Sequence, residues 1–381
     1  MIGGLFINAH RDLLGLTLLA VLCIIISPFY KEAVNNTKQM ITVPSINTVN
    51  TVNTVKSQSP KTIVFLSDSF LPKTLAGSEL SGYETIKYLR SKGHTITLFI
   101  KDYVVDEYDG FKMYKYNSND PFCVSQIQNA DIVFFQMGDE TINYKLIQTR
   151  VKPTYIFIHV VDNYKWLLQQ KISFPISVIY NSQMTQNILP TIHDNMLMLP
   201  YVETDRFKPL RTYTIQNDVV TLINCNKNKG GQLFKDLAYS MPNVQFLGVK
   251  GGYSNQIIDE SPPPNLTYIE NQKDIRKVFK KAGILVMPSG NETWGRTAVE
   301  AMASGVPVIH SESAGLIECV GGAGIMCSRN DHDAWADAIK RILGDRAYRE
   351  QLRQYGFKRV EEIEKEQSRG REELARKIEN R

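Results

Sequence analysis

The sequence has little cysteine and no dominant charge. Its five cysteines stand far apart and form no CxxC pair, which argues against a disulfide framework or a zinc site and is typical of a reducing compartment. Lysine and arginine number 44 against 39 acidic residues, a formal net charge of +5. So small an excess, spread along the chain, does not indicate a nucleic-acid-binding surface.

Charged residues are also absent from Leu13 to Tyr30. As a helix this run would be roughly 27 Å long, close to the ~30 Å hydrocarbon core of a bilayer. A cleaved signal peptide is the competing interpretation, but its apolar part is usually shorter, and no clear small-x-small cleavage site follows Ser27. A buried core helix is the third alternative. We predict a single-pass membrane anchor in residues 1–30, with the membrane bound through residues 13–30.

Residues 31–60 contain NTVNTVNTV and lack a sustained apolar period, which predicts a flexible stalk. The charges that flank the anchor nearly balance and leave its orientation open. A glycosylation sequon at Asn291 lies beside the loop assigned below to a ligand site, and a glycan there would obstruct that site. This favours a cytosolic position for the folded domains, unless the sequon is simply unused.

Beyond the stalk, short β-rich runs alternate with helical stretches. The strand candidates are TIVFLS, HTITLFI, DIVFFQ, TYIFIHV, ISVIYN, DVVTLIN, NVQFLGV, NLTYI, GILVMP and VPVIH. This alternation predicts an α/β fold with parallel sheets covered on both faces. Two such series predict two Rossmann-like doubly wound domains, 61–203 and 204–345, facing a cleft. Ligands of such sheets bind at the carboxyl ends of the strands. A charged helical tail, 346–381, should be a solvated helix.

The segment Pro288–Glu318, PSGNETWGRTAVEAMASGVPVIHSESAGLIE, is the most informative. A buried strand leads into a polar loop, and a helix begins near Gly295 and ends at Gly305. The loop-to-helix entry offers backbone N–H groups and the positive end of a helix dipole to a diphosphate. Glu292 on the loop and Glu300 inside the helix could hold hydroxyls of a sugar and a ribose. The alternative for Glu300 is an ordinary surface residue.

This segment resembles the signature of the family-four (group 1) retaining glycosyltransferases of GT-B fold, through Glu292, seven residues, Glu300 and then AMASGVPVI. The motifs AGSEL, IYNSQMTQNIL, LPYVETDRFKPL and NKGG resemble further family segments in the same order, over most of residues 61–345. The resemblance implies two Rossmann-like domains facing a cleft. It also implies transfer of a hexose-type sugar, with retention, from a nucleoside diphosphate sugar. No metal or other cofactor is implied, and the acceptor (a glycan, lipid or protein) is not identified.

The resemblance implies catalytic roles for three residues. Lys229 would stabilise the diphosphate, Glu292 would hold the transferred sugar, and His159 would position its reacting face. Glu300 would hold the ribose. The remaining donor-binding positions that the match implies are Gly77, Thr293, Gly295, Arg296 and Thr297.

Three further positions match the family less specifically. Asp162 would orient His159 or bind the acceptor, and Glu318 matches an acidic loop residue or caps the turn that follows it. Asn224 stands where relatives carry an arginine five residues before the lysine, so one formal charge is missing there. Lys227 or Arg296 could assist Lys229. The rival interpretations are a weakly active or inactive GT-B membrane protein that only binds nucleotide sugar, and a GT-B epimerase or phosphorylase.

Overall fold

The computed structural model shows two parallel sheets with helices packed on them. The residues it describes are 59–136, 150, 152–160, 175–188, 194–209, 217–252 and 254–380. These residues fall within one compact unit. The predicted anchor and nearly all of the predicted stalk lie outside the described residues. In the part of the chain that is described, no helix is both long enough and apolar enough to cross a membrane.

The first sheet forms from the β-branched and aromatic runs of the first series. Its strands are β1 (Thr62–Ser67), β2 (Thr95–Ile100), β3 (Glu107–Tyr108), β4 (Phe111–Lys115), β5 (Ile132–Gln136), β6 (Thr154–Ile158), β7 (Ile176–Tyr180) and β8 (Asp194–Leu197). They are ordered β3-β4-β2-β1-β5-β6-β7-β8, and only β3 and β4 pair antiparallel in the described chain. Every residue of β5, β6 and β7 is buried, which explains their continuous apolar sequences.

The second sheet forms from the second series. Its strands are β9 (Val219–Ile223), β10 (Gln245–Val249), β11 (Leu266–Ile269), β12 (Ala282–Met287), β13 (Val308–His310) and β14 (Ile325–Met326). They pair in parallel in the order β11-β10-β9-β12-β13-β14. Both predicted doubly wound sheets are therefore present. The sequence did not predict β3, β4, β8 or β14, which are short strands near the sheet edges and lack a long apolar run.

Helices connect most of the strands. Their bounds are α1 (Gly77–Ser91), α2 (Pro121–Asn129), α3 (Gln183–Ile188), α4 (Gly231–Ser240), α5 (Arg276–Phe279), α6 (Arg296–Ala303), α7 (Ala314–Val320), α8 (His332–Gly344) and α9 (Arg346–Glu379). Short 3-10 turns cover Thr204–Arg206 and Gly321–Ala323. The predicted end of α6 at Gly305 is confirmed, and Gly305 adopts a positive φ angle of 74°. Gly93 follows α1 with a φ of 93° in the same way.

The strand order changes direction once in the middle of each sheet, and these two places position the site. In the first sheet the chain runs outward in opposite directions from β1 and β5, and in the second sheet from β9 and β12. Connections diverge there and leave a crevice at the carboxyl ends of the strands. Residues that follow β1, β9 and β12 line the cavity described below.

The charged tail is a helix, as predicted, but the expectation that it is solvated is wrong for one of its faces. Near its middle, α9 buries Val360 and Ile363 in the core of the second domain. Near its end, Leu374 and Ile378 lie in the core of the first domain. Between them, the Nε2 of the buried Gln367 donates to the carbonyl of Pro200 at 2.6 Å. The apolar residues are spaced so widely among charged ones that the sequence hides this buried stripe.

Candidate active site

The loops that leave the carboxyl ends of the strands line a cavity of about 750 Å³. A cavity of this size suits a small-molecule ligand. Side chains of both domains line it, which confirms the predicted cleft. The predicted site residues among its lining are Gly77, His159, Asn224, Lys229, Glu292, Thr293, Arg296, Thr297 and Glu300. Gly295 and Glu318 lie elsewhere, and Asp162 falls outside the described residues.

The loop between β9 and α4 positions Lys229. Its backbone N–H donates to Asn226 Oδ1 at 2.8 Å. Gly230 follows with a φ of 84°, a conformation that favours glycine. A Cβ at Gly231 would lie 2.2 Å from the carbonyl oxygen of Cys225. The loop therefore packs too tightly for any other residue at these two positions, and Lys229 is held at the cavity wall.

Lys229 forms an ion pair with Glu292 from the loop between β12 and α6. The two side chains are only 17% and 16% exposed, so water screens their attraction weakly. Ser313 holds the Glu292 backbone by accepting a hydrogen bond from its N–H at 2.8 Å. The side chain that the sequence analysis assigned to a diphosphate, Lys229, is therefore in contact with the one assigned to the sugar, Glu292.

Arg329, which the sequence analysis did not single out, joins the two loops that carry this pair. Its Nε donates to the carbonyl of Pro288 at 3.0 Å, and its Nη2 donates to the carbonyl of Lys227 at 2.8 Å. Asn228 adds a further link, since its Nδ2 donates to the carbonyl of Asn291 at 3.0 Å. No sequence signal identifies Arg329, because it lies far along the chain from both loops.

The start of α6 faces the cavity through Arg296 and Thr297. Gly295, its N-cap, provides no side-chain cap, so the first turn offers its N–H groups to another acceptor. Gly295 itself does not line the cavity. It is buried, and a Cβ there would lie 3.0 Å from Cδ2 of Leu316, so its role is to let α7 approach α6.

Glu300 is buried inside α6, so the alternative of an ordinary surface residue is wrong. It accepts a hydrogen bond from Arg296 Nε at 2.9 Å. Burial raises the pKa of the carboxyl group, and the guanidinium of Arg296 opposes that rise. Arg296 also donates from Nη1 to the carbonyl of Tyr201 at 2.7 Å. Arg296 is thus engaged with protein groups and is a poor replacement for a missing phosphate-binding arginine.

The backbone of His159 connects the two sides of the cavity. Its carbonyl oxygen accepts hydrogen bonds from Thr293 Oγ1 at 2.7 Å and from Asn181 Nδ2 at 3.3 Å. The residue is partly exposed, but its Nε2 is buried and has no hydrogen-bond partner among the described residues. The ring stacks on Phe157 with the planes 9° apart. His159 therefore lines the cavity with a ring that is held against Phe157.

The neutral state of His159 predicts a pH dependence of stability. Burial lowers the pKa of His159 from its ordinary 6.5 to about 4. Below pH 6.5 the His159 imidazole binds a proton in the unfolded chain but stays neutral in the folded chain. The free energy of unfolding should therefore fall as the pH drops toward 4. The contribution is at most about 3 kcal/mol, and the partial exposure of the residue reduces it.

Denaturant unfolding at pH 7, 5.5 and 4.5 should therefore show a shallower loss of stability for His159→Gln than for the unaltered protein. Part of the loss should remain in the variant, because burial also lowers the pKa of His94 and of His310. Equal losses in both proteins would show that the pKa of His159 is the same in the folded and the unfolded chain.

Glu318 does not line the cavity, and it does not cap the turn that follows it. Its carboxylate accepts hydrogen bonds from the backbone N–H groups of Gln183 and Met184, each at 2.8 Å. It therefore caps the start of α3, a helix of the first domain. The sequence could not reveal this contact, because the two segments lie far apart along the chain.

Asn224 lies at the end of β9 with a φ of 68°, a conformation that asparagine tolerates better than most residues. Its Oδ1 accepts a hydrogen bond from Gln256 Nε2 at 3.0 Å. Asn224 is buried at the cavity wall. It supplies an amide engaged within the protein, and it brings no charge to the cavity.

Comparison with known proteins shows a family that part of the chain resembles. Residues 232–359, which contain α6, Glu292 and Glu318, match the family model described as glycosyl transferases group 1. This part of the chain is therefore similar to the group 1 glycosyl transferases. The match confirms the resemblance that the motif around Glu300 indicated.

Two curated relatives illustrate the likeness. The capsular polysaccharide biosynthesis glycosyltransferase CapM of Staphylococcus aureus is 30% identical over 138 residues, which cover 34% of this chain and 36% of CapM. A D-inositol 3-phosphate glycosyltransferase of Nocardia farcinica is 36% identical over 86 residues, covering 22% of this chain and 18% of that protein. The chain thus aligns with about a third or less of the length of these relatives.

Solved structures establish the fold over a larger part of the chain. The Anabaena protein HepE in complex with UDP-glucose superposes with a TM-score of 0.69 at 15% identity, covering 83% of this chain and 99% of HepE. Sucrose-phosphate synthase from Thermosynechococcus elongatus superposes with a TM-score of 0.66 at 17% identity, covering 84% and 99%. At these identities the likeness shows a shared GT-B fold of two Rossmann-like domains.

Proposed function

We propose that the protein is a retaining glycosyltransferase that moves a hexose from a nucleoside diphosphate sugar to an acceptor hydroxyl. The observation that carries this proposal is the cavity in which Lys229, Glu292 and the uncapped start of α6 meet. A lysine and a helix start are suited to hold a diphosphate, and a carboxylate is suited to hold sugar hydroxyls. The UDP-glucose bound to HepE, a protein of the same fold, supports a nucleotide sugar as the donor.

In the proposed reaction the bond between the sugar C1 and the diphosphate oxygen breaks, and the diphosphate leaves with the electron pair. The acceptor oxygen attacks C1 on the same face, and its proton passes to the departing phosphate. Lys229 and the start of α6 stabilise the charge that develops on the diphosphate. Glu292 holds the sugar, Glu300 holds the ribose, and the neutral ring of His159 positions the reacting face. This scheme requires neither a metal nor another cofactor.

The location is part of the proposal. Residues 13–30 would anchor the protein in a membrane and leave both domains in the cytosol. The acceptor would then be a glycan, a lipid-linked glycan or a protein glycan near that surface. The capsular polysaccharide function in the name of CapM agrees with a glycan acceptor.

The test is turnover of sugar nucleotides by the full-length protein in detergent. We expect that one member of a panel of UDP-, GDP- and ADP-hexoses is hydrolysed slowly and releases the nucleoside diphosphate. The freed sugar should keep its anomeric configuration, as followed by NMR spectroscopy. Binding without turnover would favour the binding-only alternative, and an isomerised sugar nucleotide would favour an epimerase. If no nucleotide sugar bound, the proposal would be wrong.

A substitution at Gly77 can test whether the ligand occupies the space beside this residue without changing the stability of the protein. Gly77 begins α1 at the cavity wall, and a Cβ there would meet no protein atom within 4 Å. Gly77→Ala should therefore change the unfolding free energy by less than about 1 kcal/mol. If the ligand approaches this backbone, sugar transfer should fall roughly tenfold or more, because the methyl group displaces the ligand. Unchanged transfer would show that Gly77 does not contact the substrates.

A further inference from the structure

The cavity brings little net positive charge to a diphosphate. Lys229 is paired with Glu292, and Arg296 is paired with Glu300. Three further cations of the lining are also paired with its carboxylates: Lys87 with Glu84, Arg206 with Glu203 and Arg276 with Asp274. Lys227, the other cation suggested by the sequence, is exposed and lies outside the cavity lining. These neutral pairs leave the negative charge of a bound diphosphate uncompensated. A second cation that can turn toward the ligand would offset that charge.

Lys250 stands beside the neutral Asn224 at the carboxyl ends of adjacent strands. Strands β9 and β10 pair in register, with Ile223 opposite Val249. Asn224 and Lys250 are the next residue of each strand, and the N–H of Asn224 donates to the carbonyl of Val249 at 2.8 Å. Both residues line the cavity that contains Lys229. The position beside Asn224 is therefore occupied by a cation.

The backbone after Lys250 is held firmly against Asn224. A Cβ at Gly251 would lie 2.3 Å from the side chain of Asn224. Gln256 accepts a hydrogen bond from Gly251 N at 2.9 Å and donates to Asn224 Oδ1 at 3.0 Å. The backbone of Lys250 is thus fixed at the carboxyl end of β10, beside the central strand β9, and only its side chain needs to move.

The partner of Lys250 holds it weakly. Lys250 forms an ion pair with Glu270, whose side chain is 77% exposed, while that of Lys250 is 34% exposed. An exposed pair of this kind contributes about 0–1 kcal/mol, because water screens the charges. Lys250 can therefore exchange Glu270 for a more strongly charged ligand at little cost, whereas the less exposed Lys229 is more firmly paired with Glu292.

We propose that Lys250 is the second cation for the donor diphosphate and replaces the charge that Asn224 does not supply. This inference rests on the proposed function. Lys273 also lines the cavity, but it follows β11, one strand further from the place between β9 and β12 where the strand order changes direction. It is therefore the alternative second cation in the test.

The experiment is calorimetric titration of the full-length protein in detergent with UDP, GDP and ADP, and with the matching nucleosides. We expect Lys250→Gln to weaken binding of the preferred diphosphate by about 10- to 100-fold and to leave nucleoside binding unchanged. Lys250→Arg should keep most of the affinity. Glu270→Gln should keep or raise it, because Lys250 is released from its pair.

Lys281→Gln is the matched control, since it removes the same charge from an exposed site of the same domain and should leave diphosphate binding unchanged. The inference is overturned if Lys250→Gln binds the diphosphate normally, if it loses nucleoside binding equally, or if only Lys273→Gln weakens the diphosphate. If the unaltered protein binds none of the three diphosphates, the proposed function fails as well.

Discussion

Replacing Lys229 by alanine is expected to lower the rate of sugar transfer by about 100- to 1000-fold, because no other charge then stabilises the departing diphosphate as closely. The variant should also lose about 1–3 kcal/mol of stability, since Glu292 is left half-buried without its cation. Steady-state transfer with the preferred sugar nucleotide and denaturant unfolding measure the two effects.

Two further variants separate these effects of Lys229. The double change Lys229→Ala with Glu292→Gln removes the uncompensated carboxylate, so it should recover much of the stability and none of the activity. Lys227→Ala alters an exposed lysine of the same loop and should leave both quantities nearly unchanged. Undiminished transfer by Lys229→Ala would remove the basis of the proposed mechanism.

Replacing Gly231 by alanine is expected to cost about 2–4 kcal/mol of stability and roughly 100-fold in donor affinity. Its Cβ would lie 2.2 Å from the carbonyl oxygen of Cys225, and a backbone atom cannot rotate away as a side chain can. The loop must move instead, and Lys229 moves with it. Denaturant unfolding and calorimetric titration with the preferred nucleoside diphosphate check the two expectations.

Gly322→Ala is the control for this prediction. Gly322 is exposed, and a Cβ there would meet no atom within 4 Å, so stability should change by less than about 0.5 kcal/mol. If Gly231→Ala proved as stable as Gly322→Ala, the close packing between the start of α4 and Cys225 would be absent from the protein in solution.

Strands and helices could be predicted from the sequence where their pattern of apolar residues is long and regular. The buried central strands have continuous apolar runs and were predicted close to their bounds. Short strands near the sheet edges, such as β4, which alternates buried and exposed residues, gave too short a signal. The buried face of α9 was missed because each apolar residue is separated by charged ones, and only its contact with two cores makes the pattern meaningful.

The site divides in the same way. Glu292 and Glu300 were predicted from a long motif in which strand, loop and helix follow one another along the chain, and Lys229 was predicted from the separate segment NKGG. The local pattern could not show that Lys229 already pairs with Glu292. Glu318 was assigned to the wrong environment because its hydrogen-bond donors, Gln183 and Met184, belong to the other domain.

The sequence by itself determined the two doubly wound sheets and the loops that carry Lys229 and Glu292, because periodic burial and glycine-rich loops are local properties of the chain. Tertiary structure alone decided which charges meet, that Gly295 packs against α7, and that Lys250 lies beside Asn224. Those outcomes depend on the register of neighbouring strands and on contacts between distant segments. Such contacts form only when the sheets and the long terminal helix pack together.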